Sequence, residues 1–365
     1  MKKLKINTIA KLSASIIVIV VCSLLISEYY DFIDNNNLSS RLLLLGAGVG
    51  IIFLPYCAII VNETWGWINC FGKDSKQIAM HKMLIIRIAT ESLQQSLPGG
   101  AVYAELVRPY LLKKHLGFEY LESISANVVT KINILIAQIF FLIFGILIFI
   151  TYSAYTKTSN GLFSERSFHL TGVTFISLTI LIAYFLYKKH LLLSVIRLME
   201  RIKLKPVREF LKKSRSNMYK IDSIISDFFL NHKTRLILTI TLFFFAWICM
   251  ALESLIILKV MGINATIFQT IMVESIISIV RITFFFLPGA IGPQDFSIMI
   301  LFSLAGLPDP SANAVLFVLL KRLKETVWII IGYILLMHLG IKTKELILQK
   351  HMVPFTTSQS IATRF

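Results

Sequence analysis

The sequence predicts an all-α membrane protein, a polytopic helical bundle. Three observations carry that expectation. Hydrophobic residues make up 56% of the 365-residue chain and charged residues only 16%, where a soluble protein carries about 25% charged residues. The mean hydropathy is +0.74. The apolar residues come in blocks long enough for membrane spans of about 20 residues. Together these exclude a cytosolic globular enzyme, a disordered tail and a nucleic-acid-binding domain.

The formal charge is +17, with 37 Lys and Arg against 20 Asp and Glu. The basic residues gather at the ends of apolar runs, where the positive-inside rule puts them. They read as topology signals and contacts for anionic lipid rather than for nucleic acid. Cys22, Cys57, Cys70 and Cys249 form no CxxC pair, and the histidines show no HxxxH or HExxH spacing. No disulfide framework, metal centre or cofactor is expected.

The elements follow in order. The basic start MKKLKINTIAK leads into an apolar run with no small-x-small cleavage site after it. It predicts an uncleaved first span at about 10–28 with a cytoplasmic N-terminus. The next loop holds Glu28, Asp31 and Asp34 and suits the outside. A second span at about 42–62 returns inward, to a basic cytoplasmic loop with Lys73, Lys76, Lys82 and Arg87. Further spans are expected within 121–150 and at 168–187. The stretch 188–235 is the most basic of the chain and must be cytoplasmic. Its Leu, Ile and Val between the charges suggest amphipathic helices on the inner leaflet, with a solvated basic linker as the plain alternative. Spans at about 236–258 and 312–339 follow, the last ending near Lys342, Lys344 and Lys350. That gives about six spans with both termini cytoplasmic, and a short polar tail at 341–365.

Two stretches, about 77–115 and 266–308, do not fit as simple spans. Each has two apolar halves around a Pro-Gly break: ESLQQSLPGGAVYAELVRPYLLKK at 91–114 and ESIISIVRITFFFLPGAIGPQDFSIMILFSLAGL at 274–307. The charges around them require an even number of crossings. They predict two re-entrant helix pairs, with a full two-span hairpin as the other reading of the second. Broken helices at membrane depth are tolerated only where they are buried in protein or line a cavity. The pairs resemble each other. Glu91-Ser92 corresponds to Glu274-Ser275, Leu97-Pro98-Gly99 to Leu287-Pro288-Gly289, and Glu105 to Asp295, each acid seven residues after its proline. Each pair leads through Ala-Asn into a span with embedded cations. One copy opens inside and the other outside, so repeat one (about 42–151) and repeat two (about 236–340) form an inverted repeat within a transmembrane domain at 1–340. That is the architecture of many secondary transporters.

Ionisable residues inside a bilayer are functional candidates by default. Glu91, Glu105, Arg108, Lys131, Glu253, Glu274, Arg281, Asp295, Lys321, Arg322, Lys324 and Glu325 lie in or beside apolar runs. Glu274 and Arg281 are two helical turns apart, and Lys321 and Glu325 are spaced to pair directly. The plain alternative is that these are ion pairs holding the bundle together. After each break a new helix N-terminus offers N–H groups to an anion, and Arg108, Arg281 and Arg322 can add charge-assisted contacts to a phosphate. No GxSxG, P-loop or GxGxxG pattern is present. Phe284, Phe285 and Phe286 read as lipid-facing or packing surface.

The stretch at 280–325 resembles the lysylphosphatidylglycerol synthase transmembrane family, also called flippase-like proteins. It is most similar to the hopanoid-biosynthesis-associated branch. The matching residues are Phe285, Phe286, Pro288, Gly289, Ala290, Gly292, Gln294 and Asp295, then Lys321, Arg322, Lys324 and Glu325. The first repeat is similar but looser, because Gly99-Gly100 follows its proline directly. The resemblance covers roughly 8–340. It implies a bacterial inner-membrane protein that moves a lipid between leaflets: an anionic phospholipid, a hopanoid or an isoprenoid-linked lipid. Synthases of the family add a large soluble catalytic domain, whereas this chain continues only to a short tail, so the resemblance implies a transporter rather than an enzyme. The head group is expected among Arg108, Lys131, Arg281 and Arg322. Two rivals remain: a lipid-modifying enzyme using Glu105 or Asp295 as a base, and a scaffold binding lipid-synthesis proteins through 188–235; a homo-oligomer is also among the expected assemblies.

Overall fold

The computed structural model describes residues 48–72, 78–156, 177, 205–284 and 286–340. The expected spans at 10–28 and 168–187, Lys73, Lys76 and the tail from 341 lie outside the described residues. Among the described residues every regular element is a helix. A single turn at Gly48–Ile51 leads into α1, Phe53–Asn69. Pro55 falls in the first turn of α1, where its missing N–H costs no hydrogen bond.

The two anomalous stretches are helix pairs broken where the sequence places the breaks. α2 runs Met80–Ser96 and α3 Gly100–Leu116. Leu97 is extended, with ψ 141°, because the ring of the following proline disfavours helical backbone. Gly99 then takes φ 66°, a left-handed conformation that glycine adopts without Cβ strain. α3 ends on Gly117, also left-handed, after Lys113, Lys114 and His115 in its last turn. These cations suit the negative end of the helix dipole.

α4 runs Tyr120–Thr156, α5 Lys205–Asn231 and α6 Lys233–Val260. α7, Ile267–Thr283, opens on a capping box in which Thr266 and Gln269 satisfy each other's backbone. After a short 3-10 turn at Pro288–Ala290, α8 runs Pro293–Leu304 and α9 Pro310–His338. Two described helices, α4 over Tyr120–Ile148 and α6, are long and apolar enough to cross a membrane unaided. α9 has the length but carries Lys321, Arg322, Lys324 and Glu325 along its middle. In the basic linker the expected amphipathic helix forms as α5, but its apolar face is used within the protein. Ile221, Ile225, Phe228 and Phe229 pack on Val129, Ile136 and Ile139 of α4.

The helices pair across the chain. α1 packs along α6, α2 along α9 and α7 along α4, while α2 and α7 also pack on their own partners α3 and α8. Exchanging α1–α4 for α6–α9 maps these pairings onto themselves. The closest crossings obey the same exchange. A Cβ on Gly332 of α9 would come within 2.5 Å of the Ser92 Cβ and 2.7 Å of the Ile88 carbonyl oxygen on α2. A Cβ on Gly145 of α4 would likewise meet the Ser275 Cβ at 2.5 Å on α7. Both serine hydroxyls donate back along their own helix at 2.8 Å, Ser92 to Ala89 and Ser275 to Met272. Small residues let helix backbones approach closely where lipid offers no hydrophobic drive between helices.

Candidate functional site

The two Pro-Gly breaks touch. The Gly99 N–H donates to the Phe286 carbonyl at 3.1 Å, and Arg322 Nη1 donates to the Gly289 carbonyl at 3.1 Å. Beside this junction lies a cavity of about 280 Å³ with walls from both halves of the chain. α1 contributes Tyr56 and Glu63, and α2 contributes Glu91, Gln94 and Gln95. Facing them are Trp247 and Glu253 of α6, Arg281 of α7, Gly289 and Ala290 of the second break, and Gln294 of α8. Lys321, Lys324 and Glu325 of α9 complete the lining.

Ion pairs bind this wall together. Glu274 is fully buried. It receives Arg281 Nη2 at 2.9 Å, the Lys321 ammonium and the Ser254 hydroxyl. Lys324 Nζ donates to Glu253 Oε1 at 2.6 Å and lies 4.3 Å from the Tyr56 ring centroid. Arg322 reaches Asp295 and Glu325, each at 2.6 Å. Across α1 and α2, Arg87 pairs with Glu63 and lies 3.8 Å from Glu91. Glu91 also accepts from Tyr56 at 2.9 Å and Gln95 at 3.1 Å. The cations of this network are Arg87, Arg281, Lys321, Arg322 and Lys324. The carboxylates are Glu63, Glu91, Glu253, Glu274, Asp295 and Glu325, one more than the cations. Every cation is paired.

The sequence-predicted residues divide into two groups. Glu91, Arg281, Gly289, Gln294, Lys321 and Glu325 line the cavity, with Glu274, Pro288, Gly292, Asp295 and Arg322 in the structure that supports them. Glu105, Arg108 and Lys131 form a neighbouring cluster, close enough for Arg108 and Lys131 to act on Glu63 of the cavity wall. Arg108 donates to Glu105 at 2.7 Å and to the Thr90 hydroxyl at 3.0 Å, and Lys131 meets Glu105 at 3.0 Å. Glu105 and Lys131 face a different, largely apolar groove of about 390 Å³ lined by Ile124, Val128 and Leu135. The expected head-group quartet of Arg108, Lys131, Arg281 and Arg322 therefore does not converge.

Three further expectations are corrected. Lys321 and Glu325 do not pair: Lys321 turns to the buried Glu274, while Glu325 turns to Arg322. At the α8 N-terminus one of the N–H groups expected to face an anion, that of Gly292, is already taken by Asp295 at 3.1 Å. Arg87 is no loop cation but a buried residue of α2. Sequence reasoning also missed Glu63, Tyr56, Gln95 and Trp247. The available signal was Arg87 itself, four residues before Glu91 on a helical stretch and therefore on one face with it.

A family model described as the lysylphosphatidylglycerol synthase TM region matches residues 12–332. No curated protein and no solved structure matches the chain. A match over most of the chain, on a helical bundle with charged broken helices at its centre, shows that this protein belongs to the lysylphosphatidylglycerol synthase transmembrane-region family.

Proposed function

We propose that the protein carries a polar-headed membrane lipid between the leaflets of a bacterial inner membrane, with both termini cytoplasmic. One observation supports this most directly: the two Pro-Gly breaks meet beside a polar cavity walled by both repeats. Discontinuous helices at a repeat interface are where secondary transporters bind their cargo. The exchange symmetry of the helix pairings supports an inverted repeat. The head group occupies the cavity and forms contacts by exchange with the existing ion pairs, while the apolar tail stays toward lipid.

An enzymatic reading based on Glu105 or Asp295 finds less support. Each carboxylate is held by cations, Glu105 by Arg108 and Lys131 and Asp295 by Arg322. They also belong to different clusters, so they do not converge on one reacting atom.

Reconstitution tests the proposal. Liposomes with purified protein should move a fluorescent phospholipid between leaflets faster than empty ones, and Arg281→Ala should slow that movement. Equal rates with and without protein would refute the reading, and lipid extracts showing a new lipid species would favour an enzyme instead.

A further inference from the structure

We propose that Glu253 is a proton-binding site that couples head-group loading to proton uptake. This rests on the transport reading above and adds its energy coupling. Glu253 lines the cavity and is only 1% exposed. Its Oε1 holds Lys324, but its buried Oε2 has no hydrogen-bond partner among the described residues. A buried carboxylate oxygen left without a donor is costly. A proton there removes the charge and turns the oxygen into a donor.

The pairing pattern singles this residue out. Among the described residues, the Glu253–Lys324 salt bridge is exclusive on both sides. Glu274 is shared by Arg281 and Lys321, Arg322 serves Asp295 and Glu325, and Arg87 pairs with Glu63 and Glu91. Protonating any shared carboxylate leaves a cation with another partner or strands two cations at once. Protonating Glu253 alone frees one ammonium, that of Lys324, on the cavity wall.

The charged and titratable groups around Glu253 are arranged by element. Tyr56 and Glu63 come from α1, Glu91 from α2 and Arg281 from α7, while Lys321, Lys324 and Glu325 come from α9. Behind them stand Arg87, Glu274, Asp295 and Arg322, and beyond Glu63 lie Glu105, Arg108 and Lys131, two of which, Arg108 and Lys131, also act on Glu63. An anionic phosphate entering as things stand meets only paired cations. A proton from water, taken by an Oε2 lone pair, releases Lys324 from its carboxylate partner. Lys324 then donates to the phosphate. Proton and anionic head group load together, and both leave together on the other side.

The full-length protein is reconstituted in vesicles of phosphatidylethanolamine and phosphatidylglycerol with a trace of fluorescent phosphatidylglycerol. Translocation is followed as pH is varied. Above the affinity of the proton site, the wild-type rate should fall about tenfold per pH unit, as linkage to one proton requires. Glu253→Gln, a neutral isostere, should show no pH dependence. A pH-independent wild type, or a Glu253→Gln variant with the wild-type profile, overturns the proposal. Should Glu253→Gln fail to fold, Glu253→Gln with Lys324→Gln removes both charges and takes its place in the infrared measurement below, since it also lacks the ammonium that receives the phosphate; a protonated-carboxyl band that persists in it overturns the proposal.

A second readout needs no transport. Infrared difference spectra of the protein in nanodiscs, recorded across pH, should contain a protonated-carboxyl band that Glu253→Gln abolishes. An unchanged band overturns the proton site whatever the lipid does. A band that behaves as expected in a protein that moves no lipid refutes the transport reading and leaves the proton site standing.

Discussion

Gly332 of α9 lies directly against Ser92 of α2, so close that a methyl group on it would sit 2.5 Å from the serine Cβ and 2.7 Å from the Ile88 carbonyl oxygen. The second neighbour is backbone and cannot rotate away. Gly332→Ala should therefore destabilise the protein by about 1–3 kcal/mol, in the range of overpacked cores, and Gly332→Val by more. Thermal unfolding in detergent checks this. Ser92→Gly should recover only part of the loss, because the carbonyl contact remains.

Glu274 and its partners give an asymmetric pair of expectations. Glu274→Gln strands both Lys321, which is almost fully buried, and Arg281. Breaking a buried pair by removing one side costs about 3–5 kcal/mol. Lys321→Met should cost less, because Arg281 and Ser254 still engage the carboxylate. Melting temperatures of the two variants should rank in that order. The double variant Glu274→Gln, Lys321→Met should lie above Glu274→Gln alone.

Arg322 ties α9 to the second break through the Gly289 carbonyl, Asp295 and Glu325. A lysine has no planar fork with which to serve three acceptors at once. Arg322→Lys should loosen the break while the helices persist. Hydrogen exchange should then rise locally at the amides around 287–292, with α6 and α7 unchanged.

Lys114 donates to the carbonyls of Leu339 and Gly340 at 3.1 and 3.3 Å, where α9 ends. Lys114→Ala removes a cation from the negative end of that helix, an effect of about 0.3–1 kcal/mol. Fraying should be confined to the last turn of α9, seen as faster exchange there with little change in the global melting temperature.

Much of the fold was legible because bilayer physics writes it coarsely. Pro98 and Pro288 marked the breaks because proline constrains both its own backbone and that of the residue before it. The two Glu-Ser pairs pointed to corresponding positions, and Ser92 and Ser275 do occupy matching crossings. The ion pairing was not legible. The i, i+4 rule sees only one helix, so it joined Lys321 to Glu325 and could not know that α7 delivers Glu274 to the same spot. Equal spacing also misled. Glu105 and Asp295 both lie seven residues after a proline, yet Asp295 caps α8 whereas Glu105 lies in the second turn of α3. The extra turn at Pro288–Ala290 consumes residues that the first broken pair spends on helix. Arg87 was hidden by its neighbours, because a cation close to a lysine-rich stretch reads as solvated.

The pairings of α2 with α9 and α7 with α4 clasp each half of the protein inside the other. The halves cannot rock apart as blocks without unseating Gly332 from Ser92 and Gly145 from Ser275. The clasp spares α3 and α8, whose extensive packing is onto helices of their own half. Any movement that keeps these crossings seated is therefore confined to these two short arms and the glycine joints that carry them, which a backbone hydrogen bond from Gly99 to Phe286 ties together where the breaks meet.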